Sequence, residues 1–377
     1  MKPKIKEEEK EKAFLIAVKS SKQKDFELQN TLNELELLID TAGGKAIKTY
    51  IQKREQPHPV TFIGKGKAKE LKHLIKALSI DFVVVDDELS PTQQRNLENI
   101  LDVKLLDRTA LILDIFSQRA HSRAGKLQVE LAQLSYLLPR LMGRGIQLSR
   151  LRGGIGLRGP GEPKLEVDRR RIRRRITNLK KMLKKVKKVR ETQRKQRKNR
   201  KLFTVSLVGY TNAGKSTLLN ALTKSDVFVE DKLFATLDST TRKFYLPSAQ
   251  TVLASDTVGF IQKLPHQLID AFHSTLDEVR EADMLLHIVD IYHPDYKKQI
   301  IAVENTLKEI EAEEIRTIKV FNKIDNLSQE ELDGFKNRFR NEKDTIFVSA
   351  LRRIGLDELK KRIEDIIING RRKLRSS

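Results

Sequence analysis

The sequence predicts an α/β protein in three parts: an N-terminal α/β subdomain, an antiparallel helical hairpin (a short coiled coil), and a C-terminal α/β domain with a phosphate-binding loop. Three observations predict this fold class. Short β-rich and helical segments alternate before residue 119, an apolar heptad spacing follows up to residue 201, and a strand–loop–helix pattern opens the remainder. We place the domains at residues 1–119, 120–201 and 202–377.

Composition excludes several classes of protein. Of the 377 residues, 39% are hydrophobic, which is enough to form buried cores, and none is Cys, which excludes disulfide scaffolds, thiolate zinc sites and Cys nucleophiles. No apolar run approaches the ~20 residues that span a bilayer, and no apolar region of signal-peptide length follows the charged N-terminus. We therefore expect a cytoplasmic protein without a membrane span, acting as a monomer.

In the first part, β-rich runs alternate with segments of helical periodicity, which predicts a mostly parallel sheet. The predicted strands are Ala13–Val18, Ala46–Gln52, Phe82–Asp86 and Val103–Leu106, and the predicted helices are Phe26–Thr41, Ala68–Leu78, Pro91–Ile100 and Thr109–Ser117. The Gly-Lys-Gly-Lys stretch at Gly64 could hold an anion on its backbone N–H groups, but two glycines are a weak signal and we favour a plain turn.

Two apolar stripes predict the hairpin, because steps of three and four residues form the seam between two packed helices. One stripe is Leu127, Leu131, Leu134, Leu138 and Leu141, and the other is Ile172, Ile176, Leu179, Leu183 and Val186. Pro139 should end or kink the first helix. The second helix should run from about Asp168 to Arg197.

The net charge of +23 is concentrated in the hairpin. Between Arg169 and Lys201 there are 19 basic residues and one acidic residue, a density that binds phosphates by releasing counterions. The tip loop, residues 143–163, is rich in glycine and arginine. We predict RNA contacts for Arg144, Arg150, Arg152, Arg158, Arg169, Arg170 and Arg171. The alternatives are a solvated basic segment and a flexible linker.

The third part opens with the apolar run Phe203–Val208 and a full match to the phosphate-binding pattern G-x-x-x-x-G-K-[ST]. Glycines permit the tight turn that points N–H groups at phosphates, Lys215 faces the β- and γ-phosphates, and the Ser216 hydroxyl ligates magnesium (Mg²⁺). The predicted phosphate-binding residues are Gly209, Tyr210, Thr211, Asn212, Ala213, Gly214, Lys215, Ser216 and Thr217.

Two further segments fit the regions that sense the γ-phosphate. The first comprises Phe234, Ala235 and Thr236, and the Thr236 hydroxyl would close on Mg²⁺, with Thr240 and Thr241 as alternatives. The second comprises Asp256, Thr257, Val258 and Gly259. Asp256 would orient Mg²⁺ through water, and the Gly259 N–H would sense the γ-phosphate.

Base identity is predicted by Asn322-Lys323-Ile324-Asp325. The Asp325 carboxylate can accept from both N1–H and the exocyclic amine of guanine, donors that adenine does not offer together. Asn322 would brace the loop, and the stem of Lys323 would pack along the base. Ser349, Ala350 and Leu351 would contact the guanine oxygen. These elements in order predict GTP and GDP binding, and a C-terminal P-loop GTPase domain.

One position departs from the simplest hydrolase. Phe260 follows the Asp-x-x-Gly pattern where many GTPases carry a glutamine that positions water, so no catalytic residue is assigned and slow intrinsic hydrolysis is expected. Asn212 could help to hold a monovalent cation (K⁺), or it could simply brace the turn.

The chain resembles the HflX family of translation-factor-class GTPases over nearly its whole length. The specific marks are the runs Gly153–Glu162, Leu165–Arg170, Gly209–Thr217 and Phe234–Asp238. The resemblance implies a GTPase that binds the large ribosomal subunit, reaches its rRNA with the hairpin tip, and splits stalled ribosomes into subunits under stress. An ATP-dependent activity is ascribed to the N-terminal region of some members, but no ATP site is recognisable before Arg119.

Two functions of other classes stay open from the residues alone. The first is a nucleotide-gated RNA-binding protein or RNA chaperone that does not split ribosomes. The second is a regulatory switch that recruits protein partners, in which the basic helix is merely solvated.

Overall fold

The structure, a computed structural model, describes residues 10–141, 161–199, 202–223, 233–237, 240–263 and 276–376. The chain divides into two compact units. The first contains the described parts of residues 1–118 and 126–183, and the second contains mainly those of 184–264 and 272–377. No helix in the described ranges is both long enough and apolar enough to cross a bilayer.

The first unit contains a four-stranded parallel sheet, as the alternating sequence predicts. Its strands are β1 (Glu11–Lys19), β2 (Gly44–Lys53), β3 (Phe82–Val85) and β4 (Lys104–Asp107), in the order β2-β1-β3-β4. The connecting helices are α1 (Asp25–Thr41), α2 (Lys65–Ala77), α3 (Pro91–Leu101) and α4 (Arg108–Arg119). All eight predicted elements of this subdomain are confirmed.

Local chemistry explains these elements. The stretch Ala13–Ala17 in the central strand β1 is fully buried, because helices cover both faces of a parallel sheet. Helix α3 begins where Ser90 accepts a hydrogen bond from the Gln93 N–H while the Gln93 side chain accepts one from the Ser90 N–H. Pro91 occupies the first helical position, where no N–H is needed.

Two long helices follow, α5 (Arg123–Arg140) and α6 (Gly161–Asn199). Arg175 of α6 donates two hydrogen bonds to the Glu130 carboxylate of α5, at 2.7 and 2.8 Å. On the two predicted stripes, Leu131 and Leu179 are buried. These contacts support the antiparallel hairpin.

Two details of the hairpin differ from expectation. Helix α6 begins at Gly161, seven residues before the predicted start, and this start lies inside the predicted tip loop. The end of α5 at Arg140, one residue after Pro139, agrees with the prediction. On α5 the buried set is wider than the leucine stripe and includes Gln128, Val129, Ala132 and Tyr136. At the C-terminal end of this wider face, Arg140 reaches Asp107, the last residue of β4.

The second unit contains a six-stranded sheet in the order β10-β9-β8-β5-β7-β6, with β6 antiparallel and the other pairs parallel. Its strands are β5 (Phe203–Gly209), β6 (Thr240–Tyr245), β7 (Thr251–Asp256), β8 (Met284–Asp290), β9 (Thr317–Asn322) and β10 (Thr345–Phe347). Its helices are α7 (Lys215–Thr223), α8 (Tyr296–Glu309), α9 (Gln329–Arg338) and α10 (Leu356–Ser376).

This topology brings the recognised segments to one edge of the sheet. Strands β5, β7 and β9 run parallel and end at Gly209, Asp256 and Asn322, respectively. Their interiors are apolar and buried, and the polar residues begin where the strands end. In an open α/β sheet, the carboxyl edge is where ligands bind.

Candidate nucleotide-binding site

A cavity of about 420 Å³ opens at this edge of the second unit. It is continuous from the phosphate-binding loop to the segment predicted to hold guanine. Its lining residues are Thr211, Asn212, Gly214, Lys215, Ser216, Thr217, Phe234, Ala235, Thr236, Thr257, Gly259, Asn322, Lys323, Asp325, Asn326, Ala350 and Leu351. Most of the predicted site residues therefore border one space.

Two glycines of the loop have no room for a side chain. A Cβ on Gly209 would lie 2.3 Å from the carbonyl oxygen of Ile288, on the neighbouring strand β8. Gly214 has a φ of +89°, and a Cβ there would lie 2.3 Å from the Asn322 amide nitrogen. At both positions a neighbouring atom leaves no space for a Cβ, and at Gly214 the positive φ also favours glycine.

Lys215 lies at the start of α7, buried against its own loop. Its Nζ donates hydrogen bonds to the carbonyl oxygens of Gly209, at 3.1 Å, and Tyr210, at 2.8 Å. Burial lowers the pKa of Lys215 to about 8, and the negative charge of Asp256 opposes that shift. A cation held at this depth attracts phosphate strongly, because little water screens it.

Ser216, Thr236 and Asp256 converge, although they come from three separate segments. The Ser216 and Thr236 hydroxyls donate to Asp256 Oδ2 at 2.6 and 2.9 Å, and the two hydroxyl oxygens lie 2.8 Å apart. The alternatives to Thr236 lie elsewhere: Thr240 and Thr241 are exposed residues of β6, in its ladder with β7. The geometry therefore favours Thr236.

These three residues fit a magnesium site. Burial raises the pKa of Asp256, while Lys215 and the two hydroxyls oppose the rise. The second oxygen, Oδ1, is buried without a hydrogen-bond partner in the described ranges. A hard cation that takes oxygen ligands directly or through water would satisfy it.

The segment after Asp256 is held close to the loop. The Thr257 hydroxyl donates to the Leu207 carbonyl at 2.6 Å. A Cβ on Gly259 would lie 2.8 Å from Thr211 Cγ2 and 2.9 Å from Lys215 Nζ, so only glycine fits beside the lysine. Val258 is buried and does not border the cavity.

Asn322 links the two ends of the cavity. Its amide nitrogen donates to the Ala213 carbonyl at 2.9 Å, and its amide oxygen accepts from the Ala350 N–H at 3.0 Å. Ser349 is fully buried, and its hydroxyl accepts from the Arg352 N–H at 3.0 Å. The predicted bracing role of Asn322 is thus matched by two hydrogen bonds.

The other predicted guanine-binding residues lie on either side of Asn322 at the same end of the cavity. Lys323 has a φ of 65°, and its Nζ lies 2.8 Å from the Asp290 carboxylate at the end of β8. Asp325 and Leu351 are exposed at the cavity rim. Sequence reasoning missed Asp290, although an acid at the carboxyl end of a buried strand is a signal for a site residue.

Phe260 is buried and does not line the cavity. Its backbone pairs with the phosphate-binding loop: the Phe260 N–H donates to Gly209 at 3.1 Å, and the Thr211 N–H donates to the Phe260 carbonyl at 2.8 Å. The Gln262 N–H donates to the Tyr210 hydroxyl at 2.7 Å. The aromatic side chain is thus buried and does not border the nucleotide space.

The remaining predictions concern the RNA contacts of the hairpin and the K⁺ contact of Asn212. Arg144, Arg150, Arg152 and Arg158 lie outside the described residues. On α6, Arg170 and Arg171 are exposed, and Arg169 approaches Glu166 at 3.3 Å. Asn212 lines the cavity with a φ of 60°, a conformation that suits either predicted role, so K⁺ binding stays a prediction.

Comparisons with known proteins agree with this geometry. Three family models match in sequence: "GTP-binding GTPase N-terminal" at residues 29–117, "GTP-binding GTPase Middle Region" at 119–197, and "50S ribosome-binding GTPase" at 204–323. GTPase HflX of Caldanaerobacter subterraneus is 53% identical over 94% of this chain and 80% of its own length. GTPase HflX of Escherichia coli is 45% identical over 93% and 81%, respectively.

The fold is also similar to a solved structure, the crystal structure of SsGBP in complex with GDP. The TM-score is 0.53 and the identity 25%, over 94% of this chain and 98% of that one. Together with the identities above, which extend over most of each relative, this settles the classification. The chain belongs to the HflX family of GTPases and is an enzyme that hydrolyses GTP.

Proposed function

We propose that this GTPase binds the large ribosomal subunit when GTP is bound and splits stalled ribosomes into subunits, as part of a stress response. The observation that carries the proposal is the basic surface of α6, which we define as the 12 Lys and Arg residues between residues 166 and 189. Only two acidic residues, Glu166 and Asp168, lie in that stretch.

Most of this basic surface is free to bind an external anion. Arg169, Arg175 and Lys187 approach the carboxylates of Glu166, Glu130 and Asp277, respectively. The other nine basic side chains are exposed and have no acidic partner within the described ranges. A row of unpaired cations along one helix suits a phosphate backbone, and the 50S ribosome-binding description of the matched G-domain family points to ribosomal RNA.

In this proposal, the nucleotide in the cavity controls whether the protein binds the ribosome. GTP would hold Thr236 and Gly259 in place through its γ-phosphate, and loss of that phosphate would release both segments. Ser216 and Thr236 would hold Mg²⁺, with Asp256 acting through water. Bound there, Mg²⁺ would neutralise charge on the β- and γ-phosphates. The protein would exist in a ribosome-binding state and a free state. GTP can favour the first only if it binds that state more tightly than the second.

Sedimentation of ribosomes tests splitting directly. Vacant ribosomes are mixed with the full chain and GTP, and the subunits are separated on a sucrose gradient. We expect free subunits above the level of the GDP control. If the two gradients are the same, the splitting function is wrong, even where binding is detected.

A nucleotide-gated RNA chaperone is the second candidate, because the same basic surface would bind RNA that is not in a ribosome. It predicts equal, salt-sensitive affinity for isolated RNA hairpins and for large subunits. Competition between hairpin RNA and large subunits at several salt concentrations distinguishes the two functions.

A further inference from the structure

Hydrolysis needs a group that orients the attacking water, and Phe260 does not supply one because its side chain is buried outside the cavity. We propose that the Thr211 hydroxyl positions the attacking water for GTP hydrolysis. The proposal concerns the hydrolysis reaction itself and does not depend on ribosome binding.

The Thr211 hydroxyl is unusual in having no partner. The residue lines the cavity and is 6% exposed, and its Oγ1 is buried without a hydrogen-bond partner in the described part of the chain. Other buried threonines of the same unit satisfy their hydroxyls: Thr257 donates to Leu207 at 2.6 Å and Thr306 donates to Ala302 at 3.0 Å. A buried polar atom without a partner in a native fold calls for an explanation, such as a ligand or a bound water.

Thr211 is also fixed next to the groups that meet the γ-phosphate. Its N–H donates to the Phe260 carbonyl at 2.8 Å. The point where a Gly259 Cβ would lie is 2.8 Å from Thr211 Cγ2 and 2.9 Å from Lys215 Nζ. The threonine side chain therefore lies between the segment that senses the γ-phosphate and the loop that holds it.

The chemistry requires only that this residue accept a hydrogen bond from the attacking water. The water oxygen bonds to the γ-phosphorus, the bond from that phosphorus to the β–γ bridging oxygen breaks, and GDP leaves with the electron pair. The proton lost by the water passes to the phosphate product. A hydroxyl held by a rigid loop can accept a hydrogen bond from the water and set its direction of attack, which lowers the entropic cost of reaching the transition state.

Neighbouring side chains fit this role less well. Asn212 is exposed, whereas Ser216 and Thr236 already bind the Asp256 carboxylate. Gln262 does not line the cavity. Two buried oxygens beside the loop have no hydrogen-bond partner in the described ranges, Asp256 Oδ1 and Thr211 Oγ1, and Mg²⁺ would satisfy the first of them.

Three substitutions in the full chain test the role. Thr211→Val removes the hydroxyl and keeps the shape, Thr211→Ser keeps the hydroxyl, and Thr306→Val is a matched control on a buried threonine away from the cavity lining. We expect Thr211→Val to lower kcat by about 10- to 100-fold with KM and GDP affinity changed by less than about twofold. Thr211→Ser should retain most of kcat, and Thr306→Val should match the wild type.

Several outcomes overturn the proposal. One is a Thr211→Val variant with normal kcat. Another is a variant with weaker binding of a GTP analogue relative to GDP at normal kcat, which would indicate a ground-state phosphate contact instead. A loss of kcat that Ser does not restore would indicate a packing role. If Thr211→Val fails to fold, as judged by Tm, the comparison of Thr211→Ala with Thr211→Ser gives the same test.

Discussion

We propose that Asp325 determines the choice of base, and its position allows a direct test. It is exposed at the cavity rim, in the short turn Ile324–Asn326. Asp325→Asn replaces an acceptor of two hydrogen bonds by an amide that presents a donor to guanine's own donors. We expect GTP affinity to fall by about 100-fold and xanthosine triphosphate affinity to rise, measured by titration with fluorescent nucleotides.

The control for this substitution is Asp357→Asn, which changes an exposed acid in the first turn of α10. Both variants should keep the wild-type Tm, because neither carboxylate is buried. Equal GTP affinity in Asp325→Asn and wild type would mean that the base is bound elsewhere.

We expect His287 to make the stability of the second unit depend on pH. It lies in β8 and is buried, and burial together with the positive charges of Lys319 and Lys215 lowers its pKa to about 3. The unfolded chain, with an ordinary pKa of 6.5, therefore binds more protons between about pH 6.5 and 3. The contribution to stability is present above pH 6.5 and is lost as pH falls through this window.

We expect His287→Leu to flatten the acid limb of the stability curve. Urea titrations at each pH give the free energy of unfolding. Its slope against pH in the acid range should be smaller in the variant than in the wild type, by up to about 1.4 kcal/mol per pH unit. His73→Gln, at an exposed position on α2, is the control. Parallel curves for His287→Leu and wild type would contradict the assignment.

At the scale of single residues, the sequence predicts which residues form the nucleotide site but not how they come together in space. The phosphate-binding loop and the Asn-Lys-x-Asp segment can be recognised because each is contiguous and follows an apolar strand. The choice between Thr236 and Thr240 depends on how a loop folds back on Asp256, and no local pattern encodes that path. The unpartnered Thr211 hydroxyl likewise depends on packing between two distant segments.

At the scale of elements, Arg140 fastens helix α5 to the parallel sheet of the first unit. Its side chain is 10% exposed and donates to Gln94 and Leu89 at 2.8 Å each, and to the fully buried Asp107 at 3.1 Å. Its guanidinium also stacks 3.4 Å from the centre of the Tyr136 ring. Arg140 is the last residue of α5, so these contacts hold the C-terminal end of the helix.

We expect Arg140→Ala to destabilise the first unit by about 2–4 kcal/mol, because Asp107 would be left buried with fewer partners. Arg140→Lys should also destabilise it, since a single ammonium nitrogen cannot lie flat on the Tyr136 ring and reach the separate acceptors that the planar guanidinium reaches. Urea denaturation measures both, with the exposed Arg123→Lys as the control. A wild-type midpoint in Arg140→Ala would show that the anchor is not needed.

The elements themselves follow closely from sequence periodicity, and the exceptions have physical reasons. The apolar stripe of α6 marks only the part that packs, so the polar turns from Gly161 to Asp168 extend the helix without any periodic signal. On α5 the leucine stripe identifies one face, but the face with Tyr136 and Arg140 is polar and aromatic. Its burial depends on β4 and the loop before α3, which lie far away in sequence.

At the scale of the whole molecule, the basic surface of α6 should control the response to ribosomes and not the hydrolysis step. We expect the triple variant Arg170→Glu, Arg171→Glu and Arg174→Glu to keep basal GTP hydrolysis and lose stimulation by large subunits. Phosphate release with and without large subunits measures both quantities.

A second triple variant is the control for net charge: Lys297→Glu, Lys308→Glu and Lys336→Glu, at exposed positions in the second unit without acidic partners in the described ranges. It should keep both basal and stimulated hydrolysis. If both triple variants lose stimulation equally, the effect is one of overall charge and the surface of α6 has no special role.

The central claim is that the nucleotide in the P-loop cavity controls binding to the large ribosomal subunit. The most direct measurement is the affinity of the full chain for isolated large subunits by co-sedimentation, with a non-hydrolysable GTP analogue and with GDP. The account predicts at least about tenfold tighter binding with the GTP analogue, a coupling of about 1.4 kcal/mol or more. Equal affinity in the two nucleotide states would contradict it.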